Sequence, residues 1–300
     1  MRSASIPAVI AVTLGLLAQP ASAAENGAGA RSAEAIEPVR LGYTIYAGGL
    51  RALALDMRVA LDPPRYGVQT QVRATGFLAR ILSFVLEART TGMLRADGLV
   101  PAHYATANQW RERDIRKVAM RYGGAPVPAV TAIPPARKDD RGRVPEAQRQ
   151  GTVDPLTGIF DLLLADGGAC RGTARIFDGR RRYDISAEPD GREQLAASGY
   201  GIYSGPAQVC RLSVETIGGF WNTMDERKRY PDAVRIWLAE AVPGAPPVPV
   251  RLQMDTSYAA IVGHLTATHR GDAAELPESR LDGAAELPSA GGAKAGQRAR

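Results

Sequence analysis

Residues 53–73 read LALDMRVALDPPRYGVQTQVR. Leu53, Leu55, Met57, Val59 and Leu61 alternate with Ala54, Asp56, Arg58 and Ala60 before Asp62-Pro63-Pro64 interrupts the run. Val68, Thr70 and Val72 then alternate with Gln69, Gln71 and Arg73. A period of two sends successive side chains to opposite faces of a strand. Two such runs around a short Pro-rich break predict an antiparallel pair. The same texture recurs at 41–46, 87–94, 103–110, 115–122, 173–177, 182–187, 193–197, 208–217, 233–238, 248–254 and 261–268. Asp178-Gly179 is a hairpin signal between two of these runs, while Asp190-Gly191 and Gly218-Gly219 punctuate others. A sheet of about a dozen strands must curl or close.

Two segments break the pattern. FLARILSFVL at 77–86 is apolar except for Arg80 and Ser83, which share one helical face, so it reads as a buried helix, although period alone leaves a buried strand open. Asp154-Pro155 opens a second helix, with Asp as N-cap and Pro at the first helical position. Leu156, Ile159, Phe160, Leu163 and Leu164 are its apolar stripe, and Gly167-Gly168 follows. The expected fold is mainly β (α+β): a curved antiparallel sheet or incomplete β-barrel with these two apolar helices packed on its concave side. On that picture Phe77, Leu78, Ile81, Phe84, Val85 and Phe160 line or cover an apolar pocket.

The ends and one long segment differ in character. Met1-Arg2, an apolar run over 6–18 and Ala21-Ser22-Ala23 have the form of a cleavable export signal covering 1–23. The run is shorter than a membrane-spanning helix requires, and no later stretch supplies a transmembrane anchor. Residues 24–38 are expected to be a disordered lead-in, 39–270 a single β-rich domain, and 271–300 a disordered tail carrying AAELP twice. The Pro-rich 123–151 segment reads as a flexible excursion from that domain. Export places the chain in the periplasm, where the two cysteines, Cys170 and Cys210, form a structural disulfide or remain buried thiols. With no C-x-x-C pair, redox chemistry is not indicated.

The net charge of +6 comes from 37 basic residues against 31 acids; four of the bases are lysine and 33 arginine. They are spread along the chain without a basic stripe, so no nucleic-acid partner is expected. Arg180-Arg181-Arg182 and Phe220-Trp221 are the candidates for contact with a headgroup or a partner, with salt-bridged arginines and edge-packed aromatics as the plainer readings. His103, His264 and His269 are the only histidines, and the latter pair, five apart, face opposite sides of a strand. No metal site, no cofactor and no catalytic residue is expected. G-x-S-x-G and H-E-x-x-H do not occur, and Gly199-Tyr200-Gly201 lacks a dinucleotide-binding context.

YTIYAGGL at 43–50, TVDPLTGIFDLLL at 152–164, CRGTARIFDGRRRYDIS at 170–186, IGGF at 217–220, VRIWLAE at 234–240 and PVPVRLQM at 247–254 together resemble the bacterial exported family known as domain of unknown function 3108. The resemblance covers about residues 40–270 and implies a fold similar to the periplasmic lipoprotein carriers. In those, a curved sheet holds an acyl chain beneath helices. A lipid or acylated protein is then the expected ligand, with envelope proteins as the alternative partners.

Overall fold

The computed structural model describes residues 36–110, 115–133, 143–164, 170–220, 233–256, 259–274 and 276. The expected signal, most of the lead-in, nearly all of the tail, Gly167-Gly168 and Trp221 lie outside them. Seven strands come first: β1 (Ile36–Ala47), β2 (Leu50–Asp62), β3 (Arg65–Ala74), β4 (Val85–Arg95), β5 (Gly98–Gln109), β6 (Ile115–Arg121) and β7 (Ala129–Ile133). Two helices follow, α1 (Glu146–Arg149) and α2 (Pro155–Leu164). Then come β8 (Gly172–Phe177), β9 (Arg182–Leu195), β10 (Gly205–Gly218), β11 (Ala233–Ala239), β12 (Val248–Asp255) and β13 (Ala260–Arg270).

All thirteen strands belong to one sheet in the order β7-β6-β5-β4-β3-β2-β1-β13-β12-β11-β10-β9-β8. Two antiparallel meanders, β1–β7 and β8–β13, are therefore joined at the middle by pairing of the first strand with the last. In that seam Thr44 faces His264 and Tyr46 faces Val262. The 123–151 segment is less irregular than its composition suggests, since it contains β7 and α1. Its continuation crosses from one sheet edge to the other. On the way, Val153 pairs with β8, its N–H donating to the Arg175 carbonyl at 2.9 Å and its own carbonyl accepting from the Phe177 N–H at 3.0 Å.

That crossover carries α2 into the hollow of the sheet. The helix starts where the sequence places it, because the Asp154 side chain accepts from the Thr157 N–H at 3.0 Å and satisfies an otherwise orphan donor. Its faces are both occupied. Phe160, Leu156 and Leu164 pack with Tyr66, Val68 and Leu99, whereas Ile159, Leu162 and Leu163 pack with Ile176, Ile185, Cys210, Leu212, Ile236 and Leu238. Gly158 permits the approach to β8: a Cβ there would sit 3.0 Å from the Ile176 side chain. Each large apolar side chain buried in this way contributes about 1.5–3 kcal/mol.

The first expected helix is absent. Gly76, with φ at +58°, ends β3, Leu78–Arg80 make one turn of 3₁₀ helix with no buried residue, and Val85 and Leu86 already belong to β4. Strand pairing wins because Val85 is held between Arg73 of β3 and Gln109 of β5, and those ladders satisfy backbone groups that a ten-residue helix would leave open at its ends. Among the described residues one helix, not two, fills the sheet. Asp190-Gly191 likewise does not end a strand. It is a bulge inside β9, where Gln208 pairs with Arg192 and Cys210 with Pro189.

Candidate functional site

The hollow is packed rather than open, and its centre is polar. Asp154 also accepts hydrogen bonds from the Thr157 hydroxyl at 2.6 Å and the Thr90 hydroxyl at 2.9 Å. The Tyr66 and Thr157 hydroxyls lie 2.7 Å apart. Asp154, Thr157 and Thr90 are wholly buried. Burial raises the Asp154 carboxyl above its ordinary value, outweighing the hydrogen bonds that favour its charged form. Burial likewise pushes the Tyr66 phenol up to about 12. This network pins α2 to β3 and β4.

The residues expected to line a ligand site do not converge. Phe77 and Ile81 are 64% and 67% exposed, Leu78 is half-buried, and Phe84 packs on Trp110 with ring centroids 4.7 Å apart. Val85 is buried beside Ala107 on the sheet, and Phe160 is buried in the α2 core. The tri-arginine is mostly structural. Buried Arg182 donates to the Gln148 carbonyl at 3.0 Å and the Tyr183 carbonyl at 2.7 Å and pairs with Asp184. Arg181 pairs with Asp178 at 2.9 Å and lies over the Phe220 ring, while the Arg180 N–H caps the Asp178 carboxylate at 2.9 Å. Among these, Phe220 is half-buried against Tyr183. The Asp178-Gly179 hairpin forms, with Gly179 and Arg180 at its tip.

A groove of about 490 Å³ lies elsewhere, between the β1–β13–β12 seam and the loop that links β9 to β10. The sheet supplies Tyr46 from β1, Val262 and His264 from β13, and Val250 and Arg251 from β12. The end of β9 supplies Leu195, and the loop supplies Ser198, Tyr200 and Tyr203. It is tied down by the Ile202 N–H donating to the Leu265 carbonyl at 2.9 Å and by the Tyr203 hydroxyl donating to the Pro206 carbonyl at 2.7 Å. Gly201 allows this close approach, since a Cβ would come within 3.1 Å of the Leu265 carbonyl oxygen. Tyr200 stacks on His264 with centroids 5.7 Å apart, and Tyr46 meets Tyr200 edge-on at 5.4 Å. Such ring pairs contribute beyond their buried area.

Burial, with the nearby Arg251 charge, holds the His264 imidazole below its ordinary value. It is therefore neutral at pH 7. Because the unfolded chain takes up this proton first, the contribution of His264 is complete above pH 6.5 and is lost as pH falls toward the depressed native value. The midpoint of thermal unfolding is expected to fall on acidification from pH 6.5, and His264→Asn to flatten that part of the profile. An unchanged slope in the variant would remove His264 as the cause.

Behind the groove, Trp237 is buried and its indole N–H donates to Glu193 at 2.9 Å. That bond and the one from Arg235, at 2.7 Å, hold the Glu193 carboxyl below the usual range. Arg235 also pairs with Asp190 at 3.0 Å. The guanidinium carbons of Arg235 and Arg251 lie 4.9 and 4.7 Å from the Trp237 ring centroid. His103 stands on β5, away from the two histidines of β13. Among the described residues no three metal-binding side chains come together, and no helix is long and apolar enough to cross a membrane.

The groove is nearly silent in the sequence. Its one local signal was GYGIYSG at 199–205, where two tyrosines stand among glycines in a non-strand segment.

A wide, curved, unclosed antiparallel sheet filled by one helix defines a β-barrel-like protein. The chain belongs to the family described as protein of unknown function (DUF3108), whose model matches residues 42–266. Among solved structures it is similar to a β-barrel-like protein of domain of unknown function DUF1849 from Brucella abortus, at 13% identity over 79% of this chain and 99% of that one, with a TM-score of 0.43. It is also similar to a "putative lipoprotein" from Parabacteroides distasonis, at 10% identity over 78% and 95% of the two chains, with a TM-score of 0.32. No curated protein matches the sequence.

Proposed function

We propose that this is an exported, periplasmic binding protein that takes up a hydrophobic molecule, a lipid or the acyl group of an acylated protein, and performs no chemistry on it. The observation that carries the reading is the groove of about 490 Å³ walled by Tyr46, Leu195, Tyr200, Tyr203, Val250 and Val262. Its size falls in the range of small-molecule sites, which are apolar with a few placed polar groups. The signal-like residues 1–23 and the Cys170–Cys210 bond support export. The site differs from the expected one because α2 fills the hollow and leaves the free space beside it.

The test is uptake of the neutral dye N-phenyl-1-naphthylamine by the mature protein, with native mass spectrometry of material taken from the periplasm. Uptake is expected, and Tyr200→Ala should weaken it about tenfold through loss of ring contacts. Protein that carries nothing and takes up no dye would favour the second reading, an envelope scaffold without a small ligand. The packed interior around α2 is the observation on that side.

A further inference from the structure

We infer that the groove selects molecules with a single anionic head, a carboxylate or phosphate, which Arg251 receives while the tyrosines hold the apolar body; this rests on the binding function proposed above. The groove contains one arginine among its lining residues, and that arginine is incompletely used. Among the described residues the hydrogen-bond partner of Arg251 is Gln253, whose Oε1 accepts from a terminal guanidinium nitrogen at 3.0 Å. The Nε of Arg251 is buried with no acceptor among the described residues.

Because that Nε has no accessible surface, a molecule in the groove would meet the terminal guanidinium nitrogens, one of which donates to Gln253. The charge of Glu193 reaches Arg251, but the hydrogen bonds of the nearby acids go elsewhere, those of Glu193 to Trp237 and Arg235 and that of Asp190 to Arg235. Trp237 supports the guanidinium from one side, fixing a fork whose spacing suits a carboxylate or phosphate. Its neighbour across the strand pair, His264, is neutral at pH 7 and places no second charge beside it. The site therefore offers one positive charge at one end of an aromatic and aliphatic wall. That pattern fits a monoanionic amphiphile better than a neutral oil or a zwitterion.

The matched probes are decanoate, decyl phosphate and decanol, each competing with the neutral dye on the mature protein. Decanoate or decyl phosphate is expected to compete about tenfold or more better than decanol, as a charge-assisted pair gives. Whichever anion is stronger identifies the head. Arg251→Gln should bring the anion down to the level of decanol without changing decanol itself, and Arg251→Lys should retain part of the preference. Tyr200→Ala should weaken all three alike. Equal competition by acid and alcohol, or a preference that survives Arg251→Gln in a folded variant, overturns the anionic selectivity and leaves the hydrophobic site standing. Failure of the dye and all three probes overturns both.

Discussion

Replacing Asp154 with alanine is expected to destabilise the protein by roughly 3 kcal/mol, from loss of the helix cap and from buried hydroxyls left without their acceptor. Asp154 is the single acceptor on which the α2 amide, Thr157 and Thr90 converge. No water can replace it in so enclosed a place, since the residue has no exposed surface. Asp154→Asn should be far milder. An asparagine oxygen can still cap the Thr157 amide, and the substitution removes the cost of burying a charge. The pH dependence separates the two contributions. The native carboxyl holds its proton more tightly than the unfolded one, so its charge-burial cost is absent below the ordinary value of 3.8 and grows as pH rises through the raised native value. Denaturant titrations across that window should show wild-type stability falling with rising pH in this component, and Asp154→Asn removing the fall. If alanine is tolerated within about 1 kcal/mol, the network is not what seats the helix.

Removing the Cys170–Cys210 bond by the double alanine substitution should cost about 4 kcal/mol in the chain-entropy account, for a closed loop of 40 residues. The enclosed segment includes β8, β9 and the hairpin between them. Both cysteines are fully buried in the cluster that receives the inner face of α2. The bond therefore fastens the end of the crossover to β10, with Cα atoms 5.7 Å apart. Chemical denaturation with and without reductant should separate oxidised from reduced wild type by that amount and leave the variant indifferent to reductant. A variant as stable as the oxidised protein would mean that packing alone holds this corner.

Most of the sheet was legible because its physics is local. Alternation at 53–73 and at the later runs, together with the Asp-Pro signature before α2, depends only on neighbours in sequence. What escaped was decided by distant partners. Residues 77–86 carry a helix-compatible pattern, but their strand portion is settled by β3 and β5, whose pairing outweighs a ten-residue preference. β7, with only Ala129–Ile133, is too short for a period-two signal to stand out from the Pro-rich surroundings. The groove was hidden for a sharper reason. Tyr46, Tyr200, Arg251 and His264 come from four separate segments, and nothing in any one of them announces the others. Two cysteines allow only one bridge, so the Cys170–Cys210 bond needs no information beyond the choice between a disulfide and two buried thiols.

The pairing of β1 with β13 has a consequence for how the molecule is assembled. The chain is made from its N-terminus, yet the strand that completes the middle of the sheet is the last of the described strands. Until β13 arrives, β1 presents an unpaired edge of backbone donors and acceptors, the kind of template that recruits foreign strands. Loop closure between residues over two hundred positions apart is also slow compared with forming either meander by itself. The nascent first half is thus the vulnerable species, and β13 acts as the zip fastener that turns two half-sheets with sticky borders into one finished wall.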